Sequence, residues 1–310
     1  MSRYAVGVDI GGTRTKMGLV ELRLGKVFPV KVFDTCRESE EIFLDSMRKA
    51  LKQCLQEENV KEDELAGVGV SIGSYVFSDG TIDGMSCFVP FMTEGYPLRQ
   101  RLETAFSLPV RADNDVRLIG LAESLYGAGR GYRRTLTMTL GSGIGIGVCV
   151  DGAPLGNEAF CHLAGHVKVR VGGEFPALDK EPCYCGIKGC LESTCSGTSF
   201  EKYLRFCYGP DMDNEKFFQL ALKGDPEAAG HLEWYLDMLA EALNQYIYTY
   251  CPDVIILGGG LAKGLAPWKT SLEGRLKAKV HFRQKTDICI SSLMEDSGVL
   301  GAALLYGQTA

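Results

Sequence analysis

Two α/β domains, each a mixed sheet flanked by helices, are what this 310-residue chain predicts, and three observations predict it. The first 126 residues read as three strands and then helix, strand, helix, strand, helix. The same plan starts again at Thr135. Glycine accounts for 38 of 310 residues, about 12% against a usual ~7%, with no collagen period, so the surplus is expected in turns and ligand loops. With 45% hydrophobic and 23% charged residues, the chain can bury one large core or two ordinary ones, which excludes disordered, fibrous and mini-protein readings.

Each element has its own signal. Tyr4 to Asp9, Lys16 to Leu22 and Val27 to Phe33 are apolar, β-branched runs around the turn Gly11-Gly12-Thr13, and read as a three-strand meander. Ser39 to Glu58 carries Ile42, Phe43, Met47, Leu51 and Leu55 at helical spacing, with Ser39 as N-cap and Glu40 and Glu41 suited to the first turn. Leu65 to Ile72 reads as a buried strand. A turn at Ser78-Asp79-Gly80 precedes a helix from Leu98 to Phe106, a strand from Pro109 to Ala112 and a helix from Val116 to Tyr126.

In the second half, Thr135 to Leu140 and Ile146 to Asp151 form a hairpin, and Val167 to Val171 reads as a further strand. Helices dominate Ser199 to Thr249, the longest marked by Leu232, Tyr235, Leu236, Leu239, Leu243 and Ile247. A strand at Val254 to Leu257 runs into Gly258-Gly259-Gly260. A helix from Gly264 to Lys279, a strand at Thr286 to Ser291 and a final helix from Gly298 complete the chain. No Pro- or Ser-rich linker marks a boundary. Topology places it near Asn114 to Leu121, giving domains 1–117 and 118–310, with the final helix expected to pack back on the first.

A net charge of −6 with interspersed signs offers no basic patch for nucleic acid or an anionic membrane, and no apolar run reaches 18 residues. The N-terminus enters a strand without a signal-peptide core, so a cytoplasmic protein is expected. Twelve cysteines in such a chain argue for metal binding or burial rather than a disulfide framework. Cys36, Cys54, Cys87, Cys149, Cys207, Cys251 and Cys289 are isolated and read as small core residues.

Three glycine runs sit at strand ends. Asp9-Ile10-Gly11-Gly12-Thr13-Arg14-Thr15-Lys16 lets backbone N–H groups approach an anion, with Thr13 and Thr15 as hydroxyl donors. A tight hairpin turn would explain the glycines but not the Asp, Thr and Lys around them. The P-loop spacing is absent. Gly141-Ser142-Gly143-Ile144-Gly145 turns a second hairpin, and it fails as a dinucleotide fingerprint because a strand follows where a helix is needed. Gly258-Gly259-Gly260 precedes a helix. Three such turns over two domains point to a nucleotide held in an interdomain cleft.

Cys183-Tyr184-Cys185-Gly186-Ile187-Lys188-Gly189-Cys190 is the strongest local signal. Cysteines at i, i+2 and i+7 across two turn-forming glycines can converge on one tetrahedral zinc ion, and a fourth ligand is required. His166, Cys195, Cys161 and His162 are all within range of the spacing. A redox pair is disfavoured because C-x-x-C is missing.

With these motifs the chain resembles the ROK sugar kinases, of the actin-like (ribonuclease H-like) ATPase fold, over nearly its whole length. Asp9-Ile10-Gly11-Gly12-Thr13 matches the first phosphate motif, Leu140-Gly141-Ser142-Gly143-Ile144-Gly145 the second, with Ser142 where Thr is usual, and Ile256-Leu257-Gly258-Gly259-Gly260 the adenosine motif. The resemblance implies ATP and Mg²⁺ as cofactors, a free sugar as substrate and a homodimer. It implies that Asp115 of Asn114-Asp115 is the general base and that Asn114, Glu192 and His166 hold the sugar. His166 is also the implied fourth zinc ligand beside Cys183, Cys185 and Cys190, in a zinc loop of the second domain that fixes a sugar-binding segment. The rival for Asp113-Asn114-Asp115 is a helix N-cap with a first-turn acid.

Two positions depart from the family. In His162-Leu163-Ala164-Gly165-His166, Leu163 stands where a sugar-binding Glu is usual, and His162 is a candidate substitute. The apolar run Phe88-Val89-Pro90-Phe91 replaces an expected Asn. Losing two sugar donors or acceptors implies altered sugar choice or weaker sugar binding.

Gly69-Val70-Ser71-Ile72-Gly73 satisfies the G-x-S-x-G pattern of a serine esterase, but turn- and strand-like residues follow instead of a helix. A sugar-responsive regulator of the same family would carry a helix-turn-helix ahead of the first phosphate motif, where eight residues precede Asp9. A sugar sensor without catalysis remains the alternative of another class. The expected reaction is phosphorylation of a free hexose at O6, aided by domain closure that excludes water. Gly152-Ala153-Pro154 and Glu192-Ser193-Thr194-Cys195-Ser196-Gly197 look most similar to the family's D-allose kinases, with glucokinases and N-acylmannosamine kinases as alternatives.

Overall fold

The computed structural model describes residues 3–84, 89–156, 161–169 and 183–307, with the backbone alone for 161–163 and 294. Along the chain run β1 (Tyr4–Ile10), β2 (Arg14–Glu21), β3 (Lys26–Val27), β4 (Lys31–Asp34), α1 (Glu40–Glu57), β5 (Leu65–Ile72), α2 (Leu98–Phe106), β6 (Val110–Asn114), α3 (Asp115–Tyr126), β7 (Arg134–Leu140), β8 (Ile144–Val150) and β9 (Ala153–Pro154). Then come α4 (Leu191–Cys195), α5 (Gly197–Tyr208), α6 (Asn214–Leu222), α7 (Pro226–Tyr250), β10 (Val254–Gly258), α8 (Gly260–Leu265), α9 (Lys269–Lys279), β11 (Asp287–Ile290) and α10 (Ser297–Ala303).

The chain forms two compact units, one of Met1–Gly127, Ala153–His162 and Leu293–Ala310, the other of Ala128–Gly152 and Leu163–Ser292. The expected boundary at 117/118 falls inside α3, an unbroken helix of the first unit.

In the first unit the sheet order is β3-β2-β1-β5-β6, with β4 also pairing β2. β1 is antiparallel to β2 and parallel to β5, and β5 is parallel to β6. The expected third strand is split into β3 and β4 because Pro29 has no N–H to give the ladder. One sheet face carries Val6, Val8, Val68, Val70 and Ile72 into a core with Phe43, Met47 and Leu51 of α1, whose N-cap Ser39 accepts from Ile42 N.

The opposite face explains part of the glycine surplus. A Cβ at Gly7 or Gly69 would collide with the Val299 or Ala302 carbonyl oxygen of α10, and one at Gly301 with the Leu118 carbonyl of α3. Strand glycines thus let the α10 backbone lie directly on the sheet, so these residues serve packing and are outside the turns and ligand loops where the surplus was expected.

The second unit has the sheet order β11-β10-β7-β8, with β10 parallel to β7 and β11 and β8 antiparallel to β7. Leu136, Met138 and Leu140 of β7 pack into a core with Tyr235, Leu236, Leu239 and Leu243 of α7. Asp225 caps α7 by accepting from Ala228 N at 2.9 Å, and Pro226 occupies its first turn. The helix expected from Gly264 begins at Gly260 and is interrupted around Pro267, leaving α8 and α9. Of the expected strand at 167–171, residues 170 and 171 lie outside the described set, and Lys168 bridges Cys190. Among the isolated cysteines, Cys54 and Cys149 are buried, Cys36, Cys207 and Cys289 are half-buried, and Cys251 is exposed at the left-handed cap of α7 (φ 46°). Cys87 lies outside the described residues. Among the described residues, no helix is long and apolar enough to cross a membrane.

Candidate active site

In the first unit, Asp9, Ser71 and Asp113 lie in register on the parallel strands β1, β5 and β6, near their carboxyl ends. Open α/β sheets bind ligands at that edge. Asp9 is followed by a turn in which Gly11 N donates to Arg14 O at 3.0 Å, and a Cβ on Gly11 would come within 2.7 Å of that oxygen. Gly12 and Thr13 form the tip, with Thr13 exposed. Thr15 is buried and shares a 2.8 Å hydrogen bond with the Thr35 hydroxyl, so the second expected hydroxyl donor faces inward; Thr35 also donates to Gly11 O. Lys16 pairs with Asp9 across β1 and β2, and its Nζ donates to Glu295 O at 3.1 Å.

The Asp9 carboxylate accepts from Ser71 Oγ at 2.7 Å. Burial pushes its carboxyl up, against the lowering effects of the Ser71 hydrogen bond and the Lys16 charge. Gly298 of α10 makes room for it, since a Cβ there would lie 2.6 Å from Asp9 Cγ.

The acids around Asn114 have different surroundings. Asp113 pairs with Arg117 Nε at 3.0 Å, and the same buried guanidinium donates to Leu155 O and Gly156 O at 3.2 and 2.8 Å. Asn114 is buried and caps α3, its Oδ1 accepting from Val116 N at 3.1 Å and its Nδ2 donating to Ser74 O at 3.3 Å. The Asn114 amide also hydrogen-bonds the Asp115 carboxylate, so its second donor is turned toward that acid. Asp115 accepts from Val116 N at 2.8 Å. Burial first, then the nearby negative charge of Asp9, pushes the Asp115 carboxyl up to about 6. Asn114 is thus the N-cap of α3 and Asp115 its first-turn acid.

In the second unit, Gly141, Ser142 and Gly143 turn from β7 into β8. Gly141 N donates to Gly143 O at 3.0 Å, Gly141 O accepts from Gly197 N at the start of α5 at 2.7 Å, and Gly145 N donates to Thr139 Oγ1 at 3.2 Å. Gly258 ends β10 opposite Thr139 of β7, and Gly259 has φ 86° with its α-carbon so close to β7 that a Cβ would lie 2.5 Å from Leu140 O. Gly260 opens α8. The second and third glycine turns thus sit side by side at the carboxyl ends of β7 and β10.

One ligand atom each from His166, Cys183, Cys185 and Cys190 lie within 4.8 Å of one another. His166 Nδ1 is 3.5 Å from Cys183 Sγ and 3.8 Å from Cys190 Sγ. A tetrahedral zinc with the usual bond lengths would set N···S edges of about 3.6 Å, so the donor set and spacing fit that ion. His166 Nε2 lies 2.8 Å from the Tyr184 hydroxyl, the outer partner a metal-bound imidazole needs to fix its tautomer. Cys195, the last residue of α4, is buried in the second unit's core, while the side chains of Cys161, His162 and Leu163 lie outside the described residues.

Cys190 also caps α4, accepting from Ser193 N at 3.4 Å, and this puts Glu192 in the helix's first turn. Glu192 Oε2 accepts from Ile144 N at 3.1 Å and lies 3.9 Å from His166 Nε2. Gly165 packs onto the Ile144 carbonyl with no space for a Cβ. The loop carrying His166 and the helix carrying Glu192 therefore clasp the same residue at the start of β8.

Val89 and Met92 are buried, and Phe91 packs against Phe43 at 5.8 Å, so this part of the apolar run feeds the first unit's core; Phe88 lies outside the described residues. Ser71 is buried within β5, which ends at Ile72 with no helix in the ten residues after it, so the strained elbow that exposes an esterase nucleophile is absent. Sequence reasoning passed over Arg117, although its i+4 spacing from Asp113 is a helix ion-pair signal, and Tyr184, which lies inside the cysteine motif.

The ROK family model matches residues 5–309. A glucokinase of Thermotoga maritima is 31% identical, covering 98% of this chain and 97% of that protein. An N-acetylgalactosamine kinase of Shewanella sp. (strain ANA-3) is 29% identical, covering 96% of this chain and 95% of that one. Among solved structures, the ROK hexokinase of Thermus thermophilus superimposes with a TM-score of 0.82 at 27% identity over 97% of both chains.

Proposed function

The chain belongs to the ROK family and is a sugar kinase, and from that premise we propose that it phosphorylates a free aldohexose at O6, D-allose before other epimers, with Asp115 as general base. The observation that carries the residue assignment is the Asp115 carboxyl itself. It lies beside Asp9 and the first glycine turn, and with a pKa raised to about 6 it is mostly ionised at pH 7 yet still a usable proton acceptor. Asp113, by contrast, is paired with the buried Arg117 guanidinium.

In the proposed reaction, Asp115 accepts the O6 proton as that oxygen bonds to the γ-phosphorus and the bridging oxygen leaves with ADP. Such base assistance is worth roughly 10²- to 10⁴-fold. The backbone N–H groups and hydroxyls of Gly11, Gly12, Thr13, Gly141, Ser142, Gly143 and Gly145, with Asp9 and Lys16, are proposed to orient the triphosphate, and Gly258, Gly259 and Gly260 the adenosine. Mg²⁺ arriving with ATP supplies neutralisation of the phosphate charge. Asn114, Glu192 and His166 are proposed to bind the sugar. Zinc on His166, Cys183, Cys185 and Cys190 is proposed as structural, because four protein ligands leave no open position for chemistry. The preference for D-allose rests on Gly152-Ala153-Pro154 and the Glu192 to Gly197 run. Glucose and N-acylated hexosamines are the competitors, in keeping with the names of the relatives.

ADP release across a panel of free hexoses and N-acylhexosamines tests this, with glycerol and p-nitrophenyl acetate as controls. Sugar-dependent ADP release highest with D-allose is expected. A different best hexose would correct the specificity, and sugar binding without ADP release would replace the kinase by a sensor.

A further inference from the structure

We infer that Ser71 is a positioning residue for phosphoryl transfer, its buried hydroxyl holding the Asp9 carboxylate in place at the end of β1. This rests on the kinase reading above and adds to it a residue that none of the three glycine motifs contains. Along β5, Gly67, Gly69 and Ser71 form one row, facing the side of the sheet on which α10 lies. At Gly69 a side chain would strike the α10 backbone. At Ser71, one step further along the row, a side chain is present, fully buried and directly opposite Asp9 in the parallel register. Its Oγ lies 2.7 Å from Asp9 Oδ1. A hydroxyl has one proton to give, and this one goes to a charged acceptor, the stronger class of hydrogen bond.

The rest of Asp9's surroundings makes that bond consequential. Lys16 faces it from β2 but is also held by Glu295, Gly298 leaves it space on the α10 side, and Asp115 adds like charge from α3. The Ser71 hydroxyl is the short, directional contact within this set. It accounts for the Gly69-Val70-Ser71-Ile72-Gly73 pattern as a carboxylate holder built into a strand, with no nucleophilic role.

Calorimetric titration with Mg-ATP of the wild-type protein, Ser71→Ala, Asp9→Asn and the double variant tests this, with KM for sugar measured in parallel. Ser71→Ala is expected to weaken Mg-ATP binding about 10-fold, leave the sugar KM unchanged and add less than about 2-fold to Asp9→Asn. Unchanged Mg-ATP binding in Ser71→Ala, or the same loss in both backgrounds, overturns the proposal while the kinase reading stands. Wild-type protein that binds no Mg-ATP overturns both. Should Ser71→Ala fail to fold, Ser71→Gly, which extends the glycine row, takes its place with the same expectations.

Discussion

Asp113 and Asp115 are two residues apart, yet their surroundings diverge: one is paired with a guanidinium, while the other is buried and, second to that, faces another carboxylate. Moving the Asp115 carboxyl to about 6 from a usual value near about 3.9 means the folded protein binds a proton there that the unfolded chain has lost. Stability from this group is therefore full below pH ~4 and is lost as pH rises through about 6. Asp115→Asn removes the buried charge, so it should lower kcat at least 100-fold while raising unfolding free energy at pH 7.5 by about 1–2 kcal/mol. Urea denaturation and steady-state assays on the same preparation measure both. In the wild type, kcat/KM for sugar should fall with unit slope below pH about 6. A flat profile down to pH 5, or a variant with near-normal turnover, would move the base elsewhere.

At the scale of elements, the cysteine motif is connected to the sugar-binding candidates through one short helix. Cys190 belongs to the group that could hold a metal and caps α4, and α4 presents Glu192 to the first residue of β8. A five-residue helix has little stability of its own, so its position depends on what holds its ends. Cys185→Ser should reduce bound zinc well below one per chain and raise the sugar KM about 10-fold or more, with a smaller effect on KM for ATP; elemental analysis and kinetics read the two. Full zinc occupancy in that variant would remove Cys185 from the site. The cysteine spacing was legible in the sequence because it is local. The link to Ile144 was not, since a backbone N–H 48 positions away from Glu192 leaves no mark on composition or period. Strands β1 and β5 and helices α1 and α2 were legible for the same reason, each having its own apolar periodicity and turn residues. The glycines under α10 were not read as packing residues, because their partners lie more than 200 positions away along the chain.

At the scale of the whole molecule, ligand binding and stability are one equilibrium, and this gives a route to the sugar that does not depend on turnover. A ligand that binds the native state alone raises its stability by about 2.7 kcal/mol at a hundred times its dissociation constant. For a chain of 310 residues the unfolding entropy is about 0.65 kcal/mol/K, so that gain corresponds to a Tm increase of roughly 4 °C. The preferred hexose should therefore stand out from its epimers in a thermal-shift panel, since a site built to hydrogen-bond one hydroxyl leaves a buried polar group unpaired when an epimer directs it elsewhere. Leu163, at the position where the family's sugar-binding Glu is usual, sharpens this into a comparison. Leu163→Glu should increase the shift produced by glucose while leaving that produced by Mg-ATP unchanged, because the added carboxylate supplies two acceptors for sugar hydroxyls and belongs to none of the glycine turns proposed for the nucleotide. Equal glucose shifts in the two proteins would mean that position 163 does not meet the sugar.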